Sequence, residues 1–301
     1  MGKKLVRFDW AIKRLLRNKA NFVVLEGFLS ELLFEDIKIK EILESESNQE
    51  SWEDKYNRVD ILTENSRQEL VIIEIQNTYE IDYFHRMVYG ASKAIAEHLN
   101  LGEPYASVRK VISINIVYFD LGQGQDYIYK GVTTFQGLHY NDILQLSEKQ
   151  KSTFAKTLVS DIFPEYYIIK VNQFNDVAKD TLDEWIYFLK NSEVRDDFRA
   201  KGLKEAREAL DIMRLDKENQ YSYNRYLDYL HWKASEALNT KLEAEEKAKQ
   251  VENEIRQDEK MKNMLETAKK AIQEGLSNEL IIKITNLPLE IIEKLRKELD
   301  K

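Results

Sequence analysis

The 301-residue sequence contains no cysteine, 3 prolines, 10 glycines and 4 histidines. Without cysteine there is no disulfide framework, no thiolate-bound zinc or iron–sulfur centre, and no cysteine nucleophile. That usage fits a reducing, cytoplasmic setting. The scarcity of proline and glycine excludes collagen-like and Pro/Gly-rich disordered chains. No apolar run approaches the roughly 18 residues of a membrane span, and the charged start lacks the apolar stretch of a signal peptide, so no membrane association is expected. A positive charge excess is also missing. Lys+Arg total 45 against 53 Asp+Glu, a formal net charge of −8, and −7 of this falls within residues 1–200. A generally basic nucleic-acid binder is therefore not indicated. There is no Walker-type glycine loop and no Gly-x-Ser-x-Gly elbow, which disfavours an ATPase or an α/β-hydrolase. The four histidines, His85, His98, His139 and His231, show no metal-ligand spacing.

Against this background, residues 1–19 form a local basic arm, with seven Lys/Arg and one acid, Asp9. The arm reads either as a phosphate contact, with Lys13 the candidate, or as a solvated helix face. Helical spacing of Phe8, Ile12, Leu15 and Leu16, then of Phe22, Leu25, Phe28, Leu29, Leu32 and Leu33, predicts helix over the first forty residues with a break near 18–21. Residues 44–54 read as a polar loop. The period then changes to two. Tyr56–Thr63 and Leu70–Gln76 read as strands of a hairpin, followed by a helix over 81–99, strands at 111–119 and 126–134, and a late strand near 166–171. From about Thr181 the chain reads as almost wholly helical. Residues 195–265 form a charged arm or linker whose apolar positions (Leu238, Leu242, Val251, Ile255) are too sparse for a strict heptad seam. Residues 266–301 read as short helices around Gly275, Ser277 and Pro288, a helix-turn-helix-like unit. The expected domains are thus 1–194, 195–265 and 266–301.

The residues that carry chemistry lie in the hairpin. On a strand, side chains alternate, so Ile73 and Ile75 share one face while Ile72, Glu74 and Gln76 share the other. Asp60 interrupts the preceding strand in the same way. A charge in a strand that wants burial is costly unless paired or metal-bound. If the strands pair, Asp60 and Glu74 can meet on one face, where a hard divalent cation relieves their repulsion. Solvated edge charges are the alternative reading of the same spacing. In the following helix, Asp82, Arg86, Tyr89 and Lys93 fall on one stripe, with Arg86 the best candidate to hold a DNA backbone; a solvent-facing stripe is the alternative. Lys55 and Arg58 are further candidates for phosphate. Asp9 reads as an additional acid at the metal or, preferentially, as a structural contact. The aromatic run Tyr221–Tyr229 reads as helix packing ahead of base stacking.

These elements in order resemble the PD-(D/E)XK nuclease family, in its recombination-promoting nuclease and transposase branch. The resemblance runs through Phe8-Asp-Trp-Ala-Ile-Lys13, Leu25-Glu-Gly-Phe-Leu, Asp54-Lys-Tyr-Asn-Arg-Val-Asp60-Ile, Ile73-Glu-Ile-Gln76, His85-Arg-Met-Val-Tyr89 and Gly102-Glu-Pro-Tyr105 to the strand at 111–119, and covers roughly residues 5–190. It implies an α/β, restriction-endonuclease-like mixed central sheet flanked by helices, followed by an all-α C-terminal extension. It also implies a Mg²⁺- or Mn²⁺-dependent DNA endonuclease, in a setting of recombination or mobile elements. Asp60 and Glu74 match the two acids as metal ligands and catalytic residues, and Gln76 stands where the superfamily usually has lysine. A lysine supplies a cation; a glutamine can only orient by hydrogen bonds. The rival expectation is therefore a weak or inactive nuclease fold that works through self-association of the C-terminal helices or through partner binding. A DNA-reading role for residues 266–301 ranks lower, because Lys283 is the sole cation of its second helix.

Overall fold

The computed structural model describes residues 5–14, 16, 18–43, 60–212 and 215–299, with the side chains of Lys13 and Arg14 not described. The expected loop at 44–54, the strand start at 56–59 and the candidates Lys55 and Arg58 lie outside these residues, as does the side chain of Lys13. The described chain forms two compact units, residues 1–224 and 225–301.

The first unit is built on a six-stranded mixed sheet of order β1-β2-β3-β4-β6-β5. The strands are β1 (Ile39–Leu43), β2 (Ile61–Asn65), β3 (Leu70–Gln76), β4 (Val111–Val117), β5 (Ile128–Gly131) and β6 (Glu165–Lys170). β3, β4 and β6 are parallel; β1–β2, β2–β3 and β5–β6 are antiparallel. Its helices are α1 (Phe8–Arg14), α2 (Phe22–Leu33), α3 (Tyr83–Glu97), α4 (Glu148–Phe154), α5 (Thr181–Asn191) and α6 (Leu203–Ala209). The break between α1 and α2 is a 3₁₀ turn at Lys19–Asn21, capped by the Asn18 side chain, which accepts from the Ala20 N–H. Strand β1 is not anticipated by the sequence pattern and corrects the expectation of helix up to residue 40.

The β2–β3 hairpin is fixed by its turn. Asn65 Oδ1 accepts from the N–H groups of Arg67 and Glu69, and Gln68 adopts a left-handed φ of 62°. These bonds give the turn an alternative to continued pairing. They set Ile61 opposite Ile73.

Both faces of the central strands are covered. On one, Ile72 and Val111 pack against Ala91 and Ala94, while Val117, Phe119 and Leu121 pack against Tyr83 and Met87. Residues 83, 87, 91 and 94 form the buried stripe of α3 at helical spacing. The other face carries Val71, Ile73, Ile75, Ile112, Ile114 and Ile116, all buried. Near the chain start, Phe8, Phe28, Trp185 and Phe188 form a cluster of edge-to-face and tilted rings with centroids 5.5–6.2 Å apart. Gly27 lets α2 approach the backbone before α6: a Cβ there would collide with the Lys201 carbonyl oxygen.

At the start of β6, Glu165 accepts from Lys110 Nζ (2.7 Å) and Tyr167 Oη (2.6 Å) and pairs with Lys130 Nζ (2.7 Å). Burial works to raise its pKa, but the hydrogen bonds from Lys110, Lys130 and Tyr167 prevail and bring it down to about 2. A carboxylate depressed below its unfolded value of 4.5 contributes stability that is present above that pH and lost as pH falls toward 2. Wild type is therefore expected to lose about 1–2 kcal/mol more than Glu165→Gln across this window, after discounting for solvent around Lys130. Urea titrations at both ends of the window measure it. Equal acid sensitivity of the two proteins would refute the assignment.

In the second unit lies most of α7 (Lys217–Gln273), followed by α8 (Asn278–Thr285) and α9 (Leu289–Leu299). Gly275 has a φ of 76°, as a helix C-terminus requires. Ser277 Oγ accepts from the Leu280 N–H and caps α8. Ala268, Ile272, Ile281, Leu287, Ile292 and Leu295 form a small core joining the three helices. No helix among the described residues is long and apolar enough to cross a membrane.

Candidate active site

The site grows from the end of the β2–β3 hairpin. The register that pairs Ile61 with Ile73 brings Asp60 level with Glu74. Asp60 Oδ2 accepts from the Ile75 N–H at 2.7 Å, so this carboxylate is fixed by the neighbouring strand. Glu74 shares its face with Ile72, which packs under α3, so its carboxylate is buried, with 8% exposure. Burial raises the Glu74 pKa, and the negative charges of Asp60 and Glu80 add to the rise, while the Arg86 guanidinium works against it.

Arg86 lies three residues beyond Tyr83, at the margin of the buried stripe of α3. It reaches Glu74 Oε1 with Nε at 2.7 Å and Nη2 at 2.5 Å, and its Nη1 donates to Glu80 Oε1 and Oε2 at 3.1 and 3.3 Å. Burial opposes its charge, but Glu74 and Glu80 outweigh burial and raise its pKa. Glu80 also accepts from Gln76 Nε2 at 2.5 Å. That bond commits the amide NH₂ and leaves the Gln76 carbonyl oxygen as an acceptor. Tyr83 Oη donates to Asn115 Oδ1 at 3.3 Å on β4. Burial, together with the charges of Glu74, Asp60 and Glu80, drives its pKa upward, so the phenol stays protonated.

The structure thus brings together Asp60, Glu74, Gln76 and Arg86. Arg86 faces the acids, which decides against a purely solvent-facing stripe; Tyr89 is exposed and Lys93 pairs with Glu97. Asp9 is buried beside the end of β3. It accepts from Arg7, from the Trp10 N–H and from Asn77 Nδ2 (2.9 Å), which is a structural contact. Tyr223 packs edge-to-face on Trp10 and accepts from the Arg7 N–H, so packing accounts for this member of the aromatic run. Glu80 and Tyr83 were not singled out from sequence. The signal available was position alone: Glu80 lies four residues after Gln76 and six before Arg86.

Among the described residues, no group of three or more His, Asp or Glu side chains is arranged to hold a metal ion. The donors that fit one are the carboxylates of Asp60 and Glu74. Both are hard oxygen ligands, and Glu74 shares the Arg86 guanidinium with Glu80. Magnesium is commonly held by one or two carboxylates, completed by water and substrate phosphate, so the donor set suits it.

A mixed sheet flanked by helices, with two carboxylates facing each other across a hairpin under α3, is a restriction-endonuclease-like fold. The chain belongs to the PD-(D/E)XK nuclease family transposases, whose family pattern matches residues 6–240. No curated protein and no solved structure matches it significantly.

Proposed function

We propose that this protein is a divalent-metal-dependent DNA endonuclease that hydrolyses phosphodiester bonds, in the service of recombination or of a mobile element. The observation that supports this most is the facing of Asp60 and Glu74 across the hairpin, in a chain of a nuclease family. Asp60 and Glu74 would hold Mg²⁺ or Mn²⁺. When bound, such an ion polarises the phosphodiester and lowers the pKa of water. Gln76, with its amide NH₂ committed to Glu80, presents its carbonyl oxygen to orient the attacking water. Arg86, once free of Glu74, would supply to the phosphate the cation that Gln76 lacks. Lys13 and Lys55 are proposed backbone contacts. On this reading residues 1–194 carry the chemistry, and residues 195–265 and 266–301 serve association or docking.

A second reading, a nuclease fold acting by self-association, draws on α7. There Leu238, Leu242, Val251 and Ile255 are exposed as two i, i+4 pairs on a helix rich in charge. Incubation of supercoiled plasmid with the protein and Mg²⁺, Mn²⁺, Ca²⁺ or EDTA separates the two. Nicking with Mg²⁺ or Mn²⁺, abolished by EDTA, is expected. No cleavage under any metal would transfer the weight to the second reading.

A further inference from the structure

All three nitrogens of the Arg86 guanidinium are committed to carboxylates, two to Glu74 and one to Glu80. The same contacts cover Glu74 Oε1. Two events the proposed chemistry needs therefore meet one obstacle. A metal ion cannot take Glu74 Oε1 while Arg86 holds it, one at Oε2 would meet the guanidinium's charge across the same carboxylate, and Arg86 cannot turn to a phosphate while it is bound there. We propose that Arg86 is a gate on the metal site: its ion pair with Glu74 opens once, for DNA and metal together, so that each ligand raises the affinity for the other. The inference rests on the assignment of Asp60 and Glu74 as the metal ligands.

The argument is one of linkage. A ligand that binds only after an ion pair has opened has that opening subtracted from its affinity. A second ligand needing the same opening meets it already made, and coupling of this kind is reciprocal. The surroundings supply the two stable positions. With Arg86 on Glu74, the guanidinium is held between two carboxylates, Glu74 and Glu80. With a phosphate nearby, Arg86 can release Glu74 while Nη1 stays on Glu80, which lies nearer the surface than Glu74. Glu80 is thus the hinge post of the gate. It holds Gln76 as well, so the amide stays in place while the guanidinium moves. The metal site itself has two carboxylates and needs a further ligand. A substrate phosphate would be the natural source, as it commonly is for magnesium.

Substitution separates the gate from simple charge. Arg86→Gln removes both the charge and the bridge. Arg86→Lys keeps the charge but offers one ammonium in place of the planar fork, so it cannot grip Glu74 with two nitrogens and Glu80 with a third. A gate predicts that both variants bind metal more tightly without DNA; charge alone predicts that Arg86→Lys behaves as wild type.

The test is Ca²⁺ binding to the full chain by calorimetry, with and without a short DNA duplex, on wild type, Arg86→Gln and Arg86→Lys, each checked for a native melting transition. Wild type is expected to bind Ca²⁺ about tenfold more tightly when the duplex is present. Arg86→Gln and Arg86→Lys are expected to bind it about tenfold more tightly than wild type when DNA is absent, and to gain less from the duplex. DNA-free affinities unchanged in both variants would overturn the gate while leaving the metal site standing. Tightening in Arg86→Gln alone would overturn it in favour of simple charge. No Ca²⁺ binding by any of the proteins, with or without DNA, would overturn the metal reading itself, and the gate with it.

Discussion

Glu74→Gln is expected to leave the protein folded and to slow plasmid nicking by at least about a hundredfold. Removing groups that merely support a metal ligand costs 10–100-fold in affinity or activity, and Glu74 is proposed as a ligand itself. Glutamine has nearly the same shape, so the face under α3 keeps its packing. Arg86 keeps Glu80 as a partner, so it is not left buried without a counter-charge. The buried environment that raises the Glu74 pKa also makes this substitution tolerable to the fold, since the neutral amide does not carry the desolvation cost of a carboxylate. Asp60→Asn should behave in parallel: its side-chain oxygen can still accept from the Ile75 N–H, so the hairpin stays closed while the charge is gone. Nicking rates and melting curves on the same preparations decide the matter. Wild-type rates in both variants would place the chemistry elsewhere in the chain.

Trp185→Ala is expected to cost about 3–5 kcal/mol, the range for deleting a large buried aromatic. Trp185 has no exposed surface, meets Phe8 and Phe188 edge to face and Phe28 at a tilt, and donates from its ring nitrogen to the Lys201 carbonyl at 3.0 Å. Alanine leaves a cavity that three rings from separate segments cannot fill together, and it strips the carbonyl of its donor. The melting temperature of the first unit should fall by about 10 °C or more. Trp185→Phe should cost less, because it keeps most of the volume and loses mainly the N–H. A drop of only one or two degrees for the alanine variant would show that the cluster is not the keystone its burial implies.

Period and polarity explain what could be read in advance. β3 is legible to the residue because five apolar side chains at 70–73 and 75 are interrupted on one face only. Glu74 and Gln76 stand out as the polar interruptions. α3, expected over 81–99, is two residues shorter at each end, where Ile81 and Asp82 complete the connection from β3 and His98 stands as the C-cap. β1 escaped because its edge position leaves Lys40 and Glu41 exposed, and a bulge between Ile39 and Glu41 breaks its alternation. Glu80 and Tyr83 escaped for a different reason. They lie in a connection and the first turn of a helix, and their importance is created by the packing of α3 on β3 and β4. The stripe chosen from sequence, 82-86-89-93, runs beside the buried stripe 83-87-91-94. Arg86 belongs to the first by spacing and to the site by reach.

The contacts at the start of the chain bear on how the protein is made. Leu5 bridges to Asp211, the Val6 N–H donates to the Leu210 carbonyl, and the Arg7 N–H reaches Tyr223, 216 residues further on. A ribosome releases the first of these partners long before the second. Throughout most of synthesis α1 has only early partners, Phe28 for Phe8 and Asn77 for Asp9, and lacks the backbone contacts that close the chain start. Contacts of such long sequence separation form late and set the pace of folding. The nascent chain thus carries its hairpin acids for most of translation in an unfinished enclosure, and the clasp shuts only after the segment leading into α7 has emerged.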